Sequence, residues 1–164
     1  MKVFIVSVIS SAIIITLANI RTSKPVAVSP KKVESNYVAI MRFVKQKEGL
    51  RLNAYICPGG KRTIGYGHVV RKGENLARIT RKQADSIFLV DFNKAYNQVL
   101  TLGVGNLDSA RVLASFNINC GIKATRKVVR SGNLANMKKY VYAKGKKLVG
   151  LVDRRKQEYA MLRR

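Results

Sequence analysis

Residues 47–68 read Lys-Glu-Gly-Leu-Arg-Leu-Asn-Ala-Tyr-Ile-Cys-Pro-Gly-Gly-Lys-Arg-Thr-Ile-Gly-Tyr-Gly-His, and this stretch sets the architecture. Ala54 to Cys57 is a short extended run. Pro58-Gly59-Gly60-Lys61 has the composition of a turn, and Arg62 to His68 alternates in character, so the segment predicts a small antiparallel hairpin. Val69 and Val70, ahead of Lys72-Gly73, add a third short strand. Gly49 stands where helices commonly stop, which makes Glu48 the end of a preceding helix.

Working outward, Ser35 can cap that helix, with Val38, Met41 and Val44 or Phe43 on its buried face. Glu48 then sits at the negative end of the helix dipole, where a carboxylate is disfavoured. Downstream, Thr80 and Gln83 form a capping box for a long helix that ends before Gly103. Asp108 can cap the next helix, which buries Val112, Leu113 and Phe116 and ends by Gly121. Thr125, Asn133 and Gly150 each precede a further helical stretch, the last over Leu151 to Leu162. One helix, one small sheet and then a helical lobe predict an α+β fold of two lobes.

The chain has 164 residues, room for one domain with a real core and too few for two ordinary ones. Val3 to Ala18 is apolar or small throughout and follows Met1-Lys2, the layout of an export segment. Its sixteen residues are short for a stable transmembrane helix. Residues 1–18 are therefore either a signal peptide cut after Ala18 or a weak anchor that stays uncut. Residues 19–35 contain Pro25 and Pro30 with no periodicity and read as a flexible linker. The folded domain is expected over 36–164. Export implies the periplasm or cell envelope, with inner-membrane anchoring before release if the segment is kept.

Lys and Arg number 32 against 8 acids, a net charge of +24, which draws the protein to polyanions. Nucleic acid, anionic lipid and the bacterial envelope compete as partners. The cations are spread over residues 42–164 and not gathered in a tail, and neither zinc-finger spacing nor an aromatic ribonucleoprotein motif is present. Nucleic acid is therefore not the expected partner, and an anionic envelope surface is. Cys57, Cys120 and the single histidine, His68, make no zinc site. No cofactor is expected, and a monomer is. The two cysteines can pair with each other, although spacing alone does not say that they do.

Cleaving a glycosidic bond takes a proton donor on the leaving oxygen and a second group that attacks the sugar or activates water. Glu48, between helix and hairpin, can face a cleft between the lobes. Cys57 and Thr63 flank the turn of one hairpin, so their side chains can converge on one face. Each also has an ordinary structural reading: a solvated helix end, a small apolar group, a strand-forming Thr.

Glu48 to Tyr55 followed by Thr63-Ile64-Gly65-Tyr66-Gly67-His68 closely resembles the active-site region of phage-type lysozymes, glycoside hydrolase family 24. The family pattern is Glu, eight residues, Asp or sometimes Cys, five residues, Thr, and Glu48, Cys57 and Thr63 fit it. Ser115-Phe116-Asn117-Ile118-Asn119-Cys120-Gly121 looks like the family's cleft-lining helix, and Gly150-Leu151-Val152-Asp153-Arg154-Arg155-Lys156-Gln157-Glu158 looks like its GLxxRRxxE signature. The resemblance spans roughly residues 36–164 and implies a lysozyme-like two-lobed fold. It also implies peptidoglycan as partner and hydrolysis of the β-1,4 bond between N-acetylmuramic acid and N-acetylglucosamine. By resemblance Glu48 is the general acid and Thr63 helps hold the hydrolytic water.

Cys57 stands where Asp is usual, and a thiolate there either activates water or attacks the sugar, with Lys61 and Arg62 near enough in sequence to favour its ionisation. Asn119, Tyr66 and Gly65 are the candidate substrate contacts. Tyr66 and His68 suit packing and hydrogen bonding better than proton transfer, and Gly65 and Gly67 allow a backbone to pass closely. Arg154 and Arg155 pair with acids nearby, Glu158 among them, or touch substrate. The uncut N-terminal segment resembles the signal-anchor-release segments of some phage lysozymes. The alternative reading is a cationic wall-binding or membrane-disrupting protein on the same fold, catalytically weakened by Cys57.

Overall fold

The computed structural model describes residues 30–57 and 59–163, with side chains from Asn36 onward. The apolar run 3–18 and the linker up to residue 29 lie outside them. Among the described residues no helix is long and apolar enough to cross a membrane.

Helix α1 spans Pro30–Glu48, so it begins five residues before Ser35, and residues 30–35, expected as linker, are helical. Pro30 suits the first helical position, where a missing N–H breaks no bond and φ is already set. Ile40, Phe43 and Val44 form its buried face, with Met41 packed beside them, while Val38 is 40% exposed. The 3.6-residue period thus runs through Ile40, one step round from the stripe through Val38.

Strands β1 (Arg51–Ile56), β2 (Arg62–Gly65) and β3 (His68–Val69) form an antiparallel sheet in that order. Tyr55 pairs with Thr63 and Ile56 with Arg62, and the register shifts before Arg51 meets Gly65. The outer edge of β1 is covered by residues 77–79, through Ala54 N–H to Ala77 O and Ile79 N–H to Leu52 O, both 2.9 Å. That strap inserts Ile79 beside Ile64 and Ala84 as the small core of the sheet lobe.

Helix α2 (Arg81–Leu100) starts at the expected capping box of Thr80 and Gln83 and connects the lobes. Its Ala84 belongs to the sheet lobe, and its Phe88, Phe92 and Ala95 pack with α1. Helix α3 (Leu107–Cys120) is buried along Ala110 and Val112 to Asn117. Its cap is Asn106, which accepts from Ser109 N–H at 2.8 Å, while Asp108 sits in the first turn and pairs with Arg111. Helix α4 (Ile122–Arg130) starts straight after Gly121. Thr125, expected to precede it, is buried within it and donates its hydroxyl to Gly121 O.

Asn133 caps a 3-10 turn at Leu134–Lys139. A hairpin of β4 (Tyr142–Ala143) and β5 (Lys146–Lys147), which the sequence reading missed, leads into helix α5 (Val149–Leu162). Val99, Leu113, Phe116, Val128 and Met137 fill the core of this lobe. The architecture is the expected α+β fold: a small antiparallel sheet beside a mainly helical lobe.

Candidate active site

Glu48 is the last residue of α1, and its side chain is 22% exposed. Arg154 Nη1 of α5 donates to Glu48 Oε1 at 2.7 Å. The other carboxylate oxygen, Oε2, rests against Gly67, where a Cβ would stand 3.6 Å from it. Gly67 lies in the turn between β2 and β3 at φ +88°, so a side chain there would be strained by the backbone conformation while only touching the acid.

Arg154 is itself held from behind. It is 5% exposed, its Nε donates to Glu158 Oε1 at 3.2 Å, and its Nη2 reaches Ser115 O at 3.4 Å. Glu158 is fully buried and also accepts from Ser115 Oγ at 2.7 Å, and Arg155 Nε lies 2.8 Å from its Oε2. Burial pushes the Glu158 carboxyl up, against the opposing pull of Arg155, Ser115 and Arg154. The expected pairing of both arginines with Glu158 is therefore present. The contact of Arg154 with Glu48 joins positions 106 residues apart, which only the packing of α5 beside α1 and α3 can set.

Cys57 and Thr63 meet at the mouth of the first hairpin. The Thr63 hydroxyl is within reach of two acceptors, the Cys57 sulfur and Lys61 O at 3.0 Å. Its one proton serves one of them at a time. The Cys57 thiol is held below its ordinary range, first by the Lys61 amide, then by the Gly59 amide and the Thr63 hydroxyl, with the Lys61 charge contributing least. Arg62, expected to help, instead donates to Leu76 O at 3.4 Å. Gly59 and Lys61 thus do more than help reverse the chain, because their backbone N–H groups face the sulfur. Composition showed the turn but not that direction.

The other candidates occupy different places. Tyr66 packs edge-on against Phe88, and the ammonium of Lys45 lies 5.2 Å from its ring. Burial, followed by a hydrogen bond with Asp85, raises its phenol. Gly65 is buried at φ +66°, and a Cβ there would meet Ile79 and Ala84 at the ordinary distances of 3.5 and 3.6 Å, so its backbone conformation, not a close approach, is what takes a glycine. Asn119 is exposed near the end of α3. Asn117, two positions earlier, is the buried one and donates to Ala95 O and Gln98 Oε1. Both cysteines are free, and Cys120 accepts from Arg155 Nη1 at 2.9 Å.

Beside Gly67 a crevice of about 310 Å³ runs between the sheet and α2, lined by Tyr66, His68, Val69, Arg71, Asp91, Lys94 and Ile118 among others. His68 anchors its wall, with Nδ1 2.7 Å from Asp91 and Nε2 3.0 Å from Glu74. Burial opposes a charge on the imidazole, but Glu74 and Asp91 outweigh it and raise the pKa. This agrees with the hydrogen-bonding role expected of His68.

Comparison with known proteins identifies the family. Residues 45–158 match the family model for phage lysozyme. An endolysin of Acyrthosiphon pisum secondary endosymbiont phage 1 is 32% identical over 135 residues, covering 73% of this chain and 91% of that protein. The solved endolysin from Escherichia coli O157:H7 phage FAHEc1 is 30% identical with a TM-score of 0.60, covering 74% of this chain and 89% of that one. The muramidase domain of SpmX from Asticaccaulis excentricus is 27% identical with a TM-score of 0.61, over 75% and 93% of the two chains. On the family match over residues 45–158 and the 32% identity to an endolysin, the chain belongs to the phage lysozyme family and is an enzyme of the lysozyme class.

Proposed function

We propose that this lysozyme hydrolyses the β-1,4 bond between N-acetylmuramic acid and N-acetylglucosamine in bacterial peptidoglycan, with Glu48 as the general acid. The observation that carries this is the seating of Glu48. Arg154 takes Oε1, while Oε2 lies against a glycine that leaves the carboxyl room beside the crevice. Oε2 is then the oxygen placed to give a proton to the departing sugar oxygen. Cys57 takes the opposing part as a thiolate, supported by the two amides and the Thr63 hydroxyl that face its sulfur. Thr63, when it turns its proton to Lys61 O, leaves an oxygen lone pair free to hold water.

The chain is proposed to act at the envelope, to which its +24 charge draws it. Residues 3–18 would take it there as an export or anchor segment. Reducing ends released from purified sacculi test the reading. The wild-type protein is expected to release them and Glu48→Gln to lose at least about a hundredfold in turnover. Lysis by Glu48→Gln at the wild-type rate would instead favour the cationic, non-enzymatic alternative. The anomer formed first states what Cys57 does, since attack by sulfur retains configuration and activation of water inverts it.

A further inference from the structure

The hairpin β4–β5 has no part in the site described above, yet its composition is unusual for a solvated turn. Tyr142 is 62% exposed, Val149 77% and Leu148 43%, and Lys144, Lys146 and Lys147 lie among them, all exposed. Every residue from Tyr142 to Gly150 is exposed, although Val141, immediately before, is buried. Successive strand residues point to opposite faces, so the Tyr142–Lys147 pair turns away from the core that Val141 faces. An aromatic ring and a cation share that outer face.

The tip is also specific. Lys144 and Gly145 both have positive φ, +50° and +75°, the two-residue turn that ordinarily takes Asn-Gly. Lys144 is the only residue other than glycine with positive φ among the described residues. A lysine is thus kept in a conformation it disfavours, at the outermost point of a cationic hairpin. Acids are scarce nearby: after Asp108 the sequence has only Asp153 and the buried Glu158.

From this face we propose a docking site for the surface of an anionic phospholipid bilayer. Tyr142 would enter the headgroup region, and Lys147 beside it and Lys144 at the tip would pair with lipid phosphates. Tyrosine suits this boundary because one end is apolar and the other polar, and lysine stems bury methylenes while the ammonium stays wet. Every residue of the hairpin is exposed, whereas a site for a sugar chain or a peptide is concave. Charge complementarity with an anionic leaflet supplies the long-range attraction. The proposal does not depend on the catalytic reading.

The chain has no tryptophan, so Tyr142→Trp in the full chain gives a single reporter at the face itself, blind to any insertion of residues 3–18. Its emission is expected to shift to the blue and become protected from aqueous quenchers with phosphatidylglycerol-containing vesicles, and to stay unchanged with pure phosphatidylcholine. Adding Lys144→Gln and Lys147→Gln to the reporter should weaken the response at least about tenfold in lipid concentration. Far-ultraviolet dichroism checks that each variant is folded. No shift with anionic vesicles, an equal shift with neutral ones, or an equal shift with lipid-free sacculi would each overturn the proposal, the last by assigning the face to wall polymer.

Discussion

Arg154 Nη1 stands 2.7 Å from Glu48 Oε1, so a carboxylate at the end of the first helix is held by a guanidinium on the last. Arg154 has no exposed surface of consequence and spends its other nitrogens on Glu158 and Ser115. It is a positioning residue for Glu48, and its replacement should disturb orientation more than substrate binding. Arg154→Lys keeps the charge but cannot make three divergent bonds. We expect kcat to fall about a hundredfold with KM little changed, and the pH–rate profile to move as well. A profile of unchanged shape and position with kcat preserved would remove Arg154 from this role.

Glu158 compensates two guanidinium groups that have almost no contact with water. Glu158→Gln leaves Arg155 without a counter-charge and Arg154 with Glu48 alone, which should destabilise the fold by about 3–5 kcal/mol. Ser115→Ala removes only one hydrogen bond to the carboxylate, at a cost of about 1–3 kcal/mol. Denaturant melts of the two variants check both the order and the scale.

The two thiols should separate by reactivity. Cys57 is held below the usual thiol range by the Lys61 and Gly59 amides and Thr63, whereas burial pushes Cys120 up in spite of Arg155. At neutral pH iodoacetamide should alkylate Cys57 well before Cys120, with activity lost in step with the first label. Thr63→Val should slow that labelling by removing the side-chain donor to sulfur. Mass spectrometry of partly labelled protein reads out both.

The His68 cluster gives a pH dependence of stability whose sign is fixed. The folded-state pKa of His68 is raised by Glu74 and Asp91, so its stabilisation is fully present below the unfolded value of about 6.5 and fades as pH rises through the folded value. Glu74 is shifted the other way, first by the Arg71 amide and then by His68. Its contribution is present above the unfolded carboxyl value and is lost as pH falls through the folded one. His68→Asn should therefore narrow the stability gap to wild type as pH is raised from about 5.5 towards 9. Unfolding curves at the two ends of that range test it.

Much of the fold could be read because local chemistry specified it. The capping box at Thr80 and Gln83, the Gly-rich turn after Cys57 and the buried run of α3 are decided within a few residues of sequence. Errors arose where two local solutions compete. Asn106 and Asp108 can each cap α3, and the one bonded to Ser109 N–H won. Pro30 starts α1 ahead of Ser35 because proline is as good a first residue as serine is a cap. At the site, Glu48, Cys57 and Thr63 are proposed from spacing and resemblance. The Lys61 and Gly59 amides at the Cys57 sulfur and the link from Arg154 to Glu48 were missed, because the first depends on the direction of backbone groups and the second on the docking of distant helices. The hairpin at 142–147 escaped because a two-residue strand leaves no alternation to detect.

The ion pair between the first and last helices also sets an order of events during synthesis. Glu48 leaves the ribosome long before Arg154 is translated, and the sheet lobe around Ile64 and Ile79 can close while α5 does not yet exist. Until the residues around 154 emerge, the acid has no partner to orient it. A nascent or prematurely terminated chain would carry the hairpin thiol and the carboxyl without the clamp that aligns them.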